Sequence, residues 1–240
     1  MQIQLANITK VFGRKRALSH LHLEFEPGQV VAVLGVNGAG KSTLLQIMAG
    51  LLAPTAGTVY YDDVPLQRRR LDLRKRFHLL PDFPLFFAGT TVLSHMAMML
   101  ELYGVDTPQN RVMATDLLEK FDLLPLIKAP LQTLSRGELY KAVLAAMIAV
   151  QPELWMLDEP FASGMDPRGL KVFREEAAKA AARGATILFS SQILAAAEQL
   201  ASHVLVLHES EAKVFAPLDK LKGELAGNPD LDSIFTNLTT

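Results

Sequence analysis

The sequence predicts an α/β fold: a core with a mainly parallel sheet, an N-terminal antiparallel β layer, and an inserted α-helical subdomain. Three observations carry this. Short apolar runs at 30–34, 154–157, 185–190 and 204–207 alternate with helix-length segments, as strands joined by crossover helices do. Residues 2–8 and 21–25 instead alternate polar with apolar side chains, which suits strands with one wet face. From about 83 to 150 the strand signal stops and helices separated by loops take over. The division is therefore one domain over 1–216, with its core at 1–82 and 151–216 and the helical subdomain between them, followed by a tail at 217–240.

Taken in order, the alternating segments 2–8 and 21–25 lead to a turn at Pro27-Gly28 and then to Val30-Val31-Ala32-Val33-Leu34, a continuous apolar run suited to a strand buried on both faces. A glycine-rich stretch follows, then a helix over 42–50 that closes on Gly50, and a strand over 58–61. In the helical part, 93–102 is apolar and methionine-rich, 111–121 is amphipathic and 138–150 is strongly apolar. Strands at 154–157, 185–190 and 204–207 then alternate with helices at 168–183 and 194–201. The tail is polar and punctuated by Pro and Gly, with a last apolar segment at Ile234 and Phe235.

Half of the 240 residues are hydrophobic, enough for a sizeable core. With 24 basic and 25 acidic residues the net charge is -1, which provides no whole-chain attraction to nucleic acid or anionic lipid. Cysteine is absent, so disulfides and thiolate sites are excluded, which fits a reducing cytoplasm. The N-terminal alternation lacks the apolar core of a secretion signal, and the most apolar stretches, 30–36 and 142–150, fall short of the ~20 residues of a membrane-spanning helix. A role at a membrane would be that of a soluble subunit docked on something else.

Gly35-Val36-Asn37-Gly38-Ala39-Gly40-Lys41-Ser42 matches G-x-x-x-x-G-K-[ST] between a strand and a helix, and Thr43 continues it into the helix. Glycines let the backbone wrap so that successive N–H groups point at phosphate oxygens, and the helix start adds the positive end of its dipole. Lys41 supplies a charge for the terminal phosphates and Ser42 a hydroxyl for Mg2+. The core therefore reads as a P-loop NTPase. Asp158-Glu159 ends the apolar run 154–157. It is either a solvated acidic turn before Pro160 or, with the phosphate cradle upstream, a metal-holding Asp158 and a water-polarising Glu159.

Leu134-Ser135-Arg136-Gly137-Glu138 resembles the LSGGQ signature of the ABC (ATP-binding cassette) family, with Arg136 in place of the first paired glycine and Glu138 in place of glutamine. Ser135 and Glu138 also form a capping box for the helix that follows. Ser163-Gly164-Met165-Asp166-Pro167 looks like the family's D-loop, with Asp166 its functional acid, and Phe12 stands where the family stacks an aromatic on adenine, or else is a core residue of the β layer. The resemblance runs from about Ile3 to the tail. Leu80-Pro81-Asp82, Thr91-Val92, Leu102-Tyr103-Gly104, Asp166-Pro167 and 231–235 look like the exporter branch that pairs with separately encoded membrane subunits.

What the resemblance implies is an ATPase motor subunit that uses ATP and Mg2+ and works as a head-to-tail dimer, homodimer or heterodimer. It would pair with separate transmembrane permease subunits at the cytoplasmic face of the membrane, with no nucleic-acid partner. Ser135, Arg136, Gly137 and Glu138 would act in trans on the opposite subunit's nucleotide. Two further positions depart from the family's pattern. Asp82 replaces the usual glutamine of the loop that links Mg2+ to the membrane partner, retaining oxygen ligands but losing the amide donor. Gln192, after Ser190-Ser191, replaces the usual histidine, so this contact to phosphate cannot become cationic, and slower hydrolysis is expected. The alternative is a nucleotide-gated regulatory or binding subunit with very slow hydrolysis. Segments 83–87 and 96–99 are either docking surface or core. The basic runs 14–16, 68–70 and 74–76 are either solvated faces or contacts to lipid headgroups, and the histidines lack metal-ligand spacing.

Overall fold

A computed structural model of the chain describes residues 1–224 and 231–239. The first half runs β1 (Ile3–Phe12), β2 (Lys15–Phe25), β3 (Val30–Leu34), α1 (Lys41–Met48), β4 (Ala56–Tyr61), β5 (Val64–Pro65), α2 (Leu71–Arg74), β6 (Phe77–Leu80), α3 (Val92–Tyr103) and α4 (Pro108–Lys120). The second half runs α5 (Arg136–Ala149), β7 (Leu154–Leu157), α6 (Pro167–Ala182), β8 (Thr186–Ser191), α7 (Leu194–Glu198), β9 (His203–His208), β10 (Glu211–Pro217), α8 (Leu218–Glu224) and α9 (Leu231–Thr239).

Two sheets face each other. The first, in order β2-β1-β4-β5, is antiparallel throughout. The second, in order β10-β9-β3-β8-β7-β6, is parallel except for the β9-β10 hairpin at its edge. Central strand β3 shows why its sequence is apolar without alternation. Val31 and Val33 enter the core shared with the antiparallel sheet and α1, while Val30, Ala32 and Leu34 enter the core shared with the helices. The fold class read from the sequence is the one observed. Strands β6 and β10 were not anticipated. The first is only four residues long and follows a basic run, and the second is a half-exposed edge strand whose KVFAP stretch carries no clear alternation.

The inserted helices begin at side-chain caps. Thr91 accepts from the Ser94 amide and Thr107 from the Asn110 amide, with Pro108 opening α4 where its missing N–H costs nothing. Helix α5 buries every residue from Tyr140 to Ala149 because α3, α4 and the parallel sheet surround it. Met96 and Met99 belong to that core, which excludes them as docking surface, whereas Phe83, Leu85 and Phe87 stay exposed. The tail folds back on the body, and Leu218, Leu221, Leu231 and Ile234 join the helix-side core. Tail positions 225–230 and 240 lie outside the described residues. Among the described residues, no helix is long and apolar enough to cross a membrane.

Strand β6 is tied to α3 by His78, whose Nδ1 lies 2.7 Å from the Tyr103 hydroxyl, itself donating to the Phe77 carbonyl at 3.0 Å. Burial, with His95 nearby, pushes the His78 imidazole down to about 4. Neutral His78 is thus the folded form, so its contribution is complete above the unfolded value and is lost as pH falls from about 6.5 to about 4. Urea titrations at pH 7 and pH 4.5 should show His78→Asn losing less stability on acidification than wild type, by up to about 3 kcal/mol.

Candidate functional site

The phosphate cradle is the turn between β3 and α1. Gly40 stands at its narrowest point with φ of 108°, and a Cβ there would lie 2.5 Å from the Ala17 carbonyl oxygen and 2.7 Å from the Leu18 side chain. Only glycine permits both that backbone and that approach. Ala39 is buried beneath the loop, and Gly35 and Val36 form its root. An open cavity of about 370 Å3 lies over the loop, lined by Asn37, Gly38, Gly40, Lys41, Ser42 and Thr43. Phe12 flanks it, half-exposed, with the Lys10 ammonium 4.9 Å from the ring centroid.

The far wall is acidic. Asp158, Glu159, Asp82 and Gln192 all reach the same cavity, from the carboxyl ends of β7, β6 and β8. At such ends an α/β sheet opens a crevice for ligands. Glu159 adopts left-handed backbone with φ of 50°, turning the chain sharply after β7. Its Oε1 lies 3.4 Å from Lys41 Nζ, and both side chains are largely buried. Lys41 also donates to the Gly35 carbonyl at 2.8 Å. Gln192 donates twice to Glu159, from its backbone amide at 3.3 Å and from Nε2 at 3.2 Å. Ser190 donates to Asp158 Oδ1 at 2.5 Å and accepts from the Glu159 amide at 2.9 Å, so one hydroxyl sets both acids.

The signature segment does not line this cavity. Ser135 caps α5, its hydroxyl 2.6 Å from Glu138 Oε2, and the Ser135 hydroxyl and amide hold the Glu138 carboxyl below the usual carboxylate range. Gly137 packs on the D-loop so closely that a Cβ would stand 2.2 Å from the Gly164 carbonyl oxygen. Asp166 caps α6 through the Gly169 amide at 2.7 Å, and the Lys141 ammonium at 2.8 Å lowers its carboxyl.

Several groups at the site were not singled out from the sequence. Lys15 lines the cavity, its Nζ 3.7 Å from where a Cβ on Gly38 would stand, although the run 14–16 read as a generic basic patch. Ala17 lines it too. Tyr140 is fully buried with a hydroxyl that has no partner among the described residues, and after burial the Asp82 and Asp158 charges are the main causes raising its pKa. Lys141 was legible in principle as the one cation within the apolar stretch 139–149 of helix α5.

The arrangement suits a magnesium-bound triphosphate. The cradle is shaped for close backbone approach, Lys41 is a cation inside it, and Ser42, Asp158 and Asp82 supply the hard oxygen donors that Mg2+ takes. Among the described residues no group of three or more His, Cys, Asp or Glu could hold a metal.

A sequence model of the family described as "ABC transporter" matches residues 18–162. The ABC-type transporter ATP-binding protein EcsA of Bacillus subtilis (strain 168) is 28% identical, over 99% of this chain and 96% of EcsA. The lantibiotic transport ATP-binding protein SrtF of Streptococcus pyogenes is 30% identical, over 98% of this chain and 96% of SrtF. Among solved structures, one titled as the ATP binding subunit of an ABC transporter superposes with a TM-score of 0.93 at 26% identity, each chain covered in full.

Proposed function

This chain belongs to the ABC transporter family, and we propose that it is the ATP-hydrolysing motor subunit of a membrane exporter whose permease subunits are separate chains. The observation that carries the reading is one cavity gathering Lys41, Ser42, Asp158 and Glu159, with Lys41 and Glu159 already 3.4 Å apart. Similarity over nearly the full length to a lantibiotic transport ATP-binding protein supports the transport assignment. The 1–216 domain, with its core at 1–82 and 151–216, does the nucleotide work, and Leu218, Leu221, Leu231 and Ile234 of the tail pack onto it.

In this reading Phe12 stacks on the base, with Lys10 over one face of its ring. The backbone from Gly35 to Thr43 wraps the phosphates, and Lys15 adds a second cation at the rim. Lys41 exchanges the Gly35 carbonyl and Glu159 for phosphate oxygens, which frees Glu159 to polarise the attacking water. Gln192 keeps that carboxylate aimed. Ser42, Asp158 and Asp82 would hold Mg2+, which neutralises phosphate charge when bound. Ser135, Arg136, Gly137, Glu138 and Asp166 do not line their own cavity and serve the nucleotide of a second ATPase subunit, homologous or identical, in a head-to-tail dimer. The exposed Phe83, Leu85 and Phe87 follow Asp82 directly and suit the contact with the permease at the cytoplasmic face.

Slow turnover is the second reading, favoured by the neutral amide of Gln192 where the family carries histidine. Gln192→His should raise steady-state ATPase by about tenfold to a hundredfold, since a cationic donor stabilises developing phosphate charge better. Equal rates would exclude Gln192 as the limiting group. The transporter assignment itself is tested by affinity purification from native membranes in mild detergent. A multispanning protein in stoichiometric amount is expected, and recovery of the chain alone, from membranes where it is abundant, argues against it.

A further inference from the structure

Arg136 is the one signature residue that reaches the wall of its own chain's cavity. Its Nη2 lies 2.6 Å from Asp82 Oδ1, and its guanidinium lies 4.8 Å from the centroid of the exposed Phe83 ring. Asp82 at the same time lines the cavity beside Asp158 and Glu159. One carboxylate therefore serves two demands. One turn further along α5 the buried Tyr140 hydroxyl, without a partner among the described residues, lies in the field of the same acids. With a glycine at 136 the ion pair has no cation, and with an amide at 82 it has no anion. Arg136 and Asp82, two of the four departures from the family's pattern, thus form one complementary pair across 54 positions of sequence.

We propose that Arg136 is a positioning residue that holds the 82–87 loop in the nucleotide-free chain and competes with the divalent cation for Asp82. The proposal rests on the reading of the cavity as the ATP site. An exposed ion pair with a ring contact biases a loop by about tenfold at most. That favours the held loop yet lets a bound cation overturn it. When Asp82 turns to the metal, the guanidinium is released beside Ser135 at the start of α5, where it can meet phosphate oxygens of the opposite subunit. Engagement of the signature then depends on metal and nucleotide already being seated in the same chain, which imposes an order on dimer closure.

The test is hydrogen exchange of peptides spanning 82–87 in the full chain, together with equilibrium ATP binding at graded Mg2+ concentrations. Arg136→Gly and Arg136→Gln should each speed exchange of 82–87 in nucleotide-free protein by several-fold, while Arg136→Lys stays near wild type. Wild type with Mg·ATP should show the same acceleration, and Arg136→Gly should need several-fold less Mg2+ for half-maximal ATP binding. In the Asp82→Asn background Arg136→Gly should change neither quantity further. Unchanged exchange in both neutral variants, or effects that add in the double variant, overturns the proposal. Absence of Mg·ATP binding in every variant instead sinks the reading of the cavity, because the exchange of nucleotide-free protein reports on the contact alone.

Discussion

Glu159→Gln lowers steady-state ATP turnover by about a hundredfold to a thousandfold and leaves nucleotide affinity intact. Glutamine keeps the shape and can still accept from Gln192, so the wall of the cavity is preserved. What it loses is the negative charge that polarises water. It also loses the ion pair to Lys41, at 3.4 Å in the nucleotide-free chain, so the ammonium becomes more available to phosphate. The variant should therefore bind ATP at least as tightly as wild type and accumulate as an ATP-bound dimer. Size-exclusion chromatography with Mg·ATP, beside a phosphate-release assay, reads both effects. Retained turnover in Glu159→Gln would remove Glu159 from the chemistry.

Lys41→Ala has the opposite signature: binding fails first. The ammonium is buried at the root of the loop, with the Gly35 carbonyl and Glu159 as its partners. Removing it deletes a charge-assisted contact to the terminal phosphates, worth about 3 kcal/mol or a hundredfold in affinity. It also leaves Glu159 facing an incoming polyanion with no cation between them. Equilibrium binding of a fluorescent ATP analogue should weaken by about a hundredfold or more, while the far-ultraviolet circular dichroism stays that of wild type, since the side chain packs no core.

The two effects concern motifs that are readable in the sequence alone. Val30 to Leu34 announces a doubly buried strand because both of its faces are covered, and the glycines after it have a spacing that phosphate binding requires. The acidic pair follows a four-residue apolar strand in the same way. Contacts made across the fold were not readable. Nothing at Arg136 names Asp82 as its partner, and nothing at Ser190 says that its hydroxyl bonds the Asp158 carboxylate and the Glu159 backbone amide beyond the neighbouring strand. Lys15 sits in a basic run and gains its place at the rim only because the β1-β2 hairpin folds over the loop. The methionines of α3 suit surface or core equally by pattern, and the packing of α5 against α3 places Met96 and Met99 in the core. Local pattern reveals strands and motifs, whereas partner choice depends on which elements the topology sets side by side.

Calorimetric titration of ATP into the purified wild-type chain, with and without Mg2+, tests the central claim most directly. Binding in the micromolar to millimolar range is expected, markedly weakened when the metal is chelated and abolished in Lys41→Ala. No heat of binding in the presence of Mg2+, or identical titrations for wild type and Lys41→Ala, would contradict the assignment of this cavity to a nucleoside triphosphate.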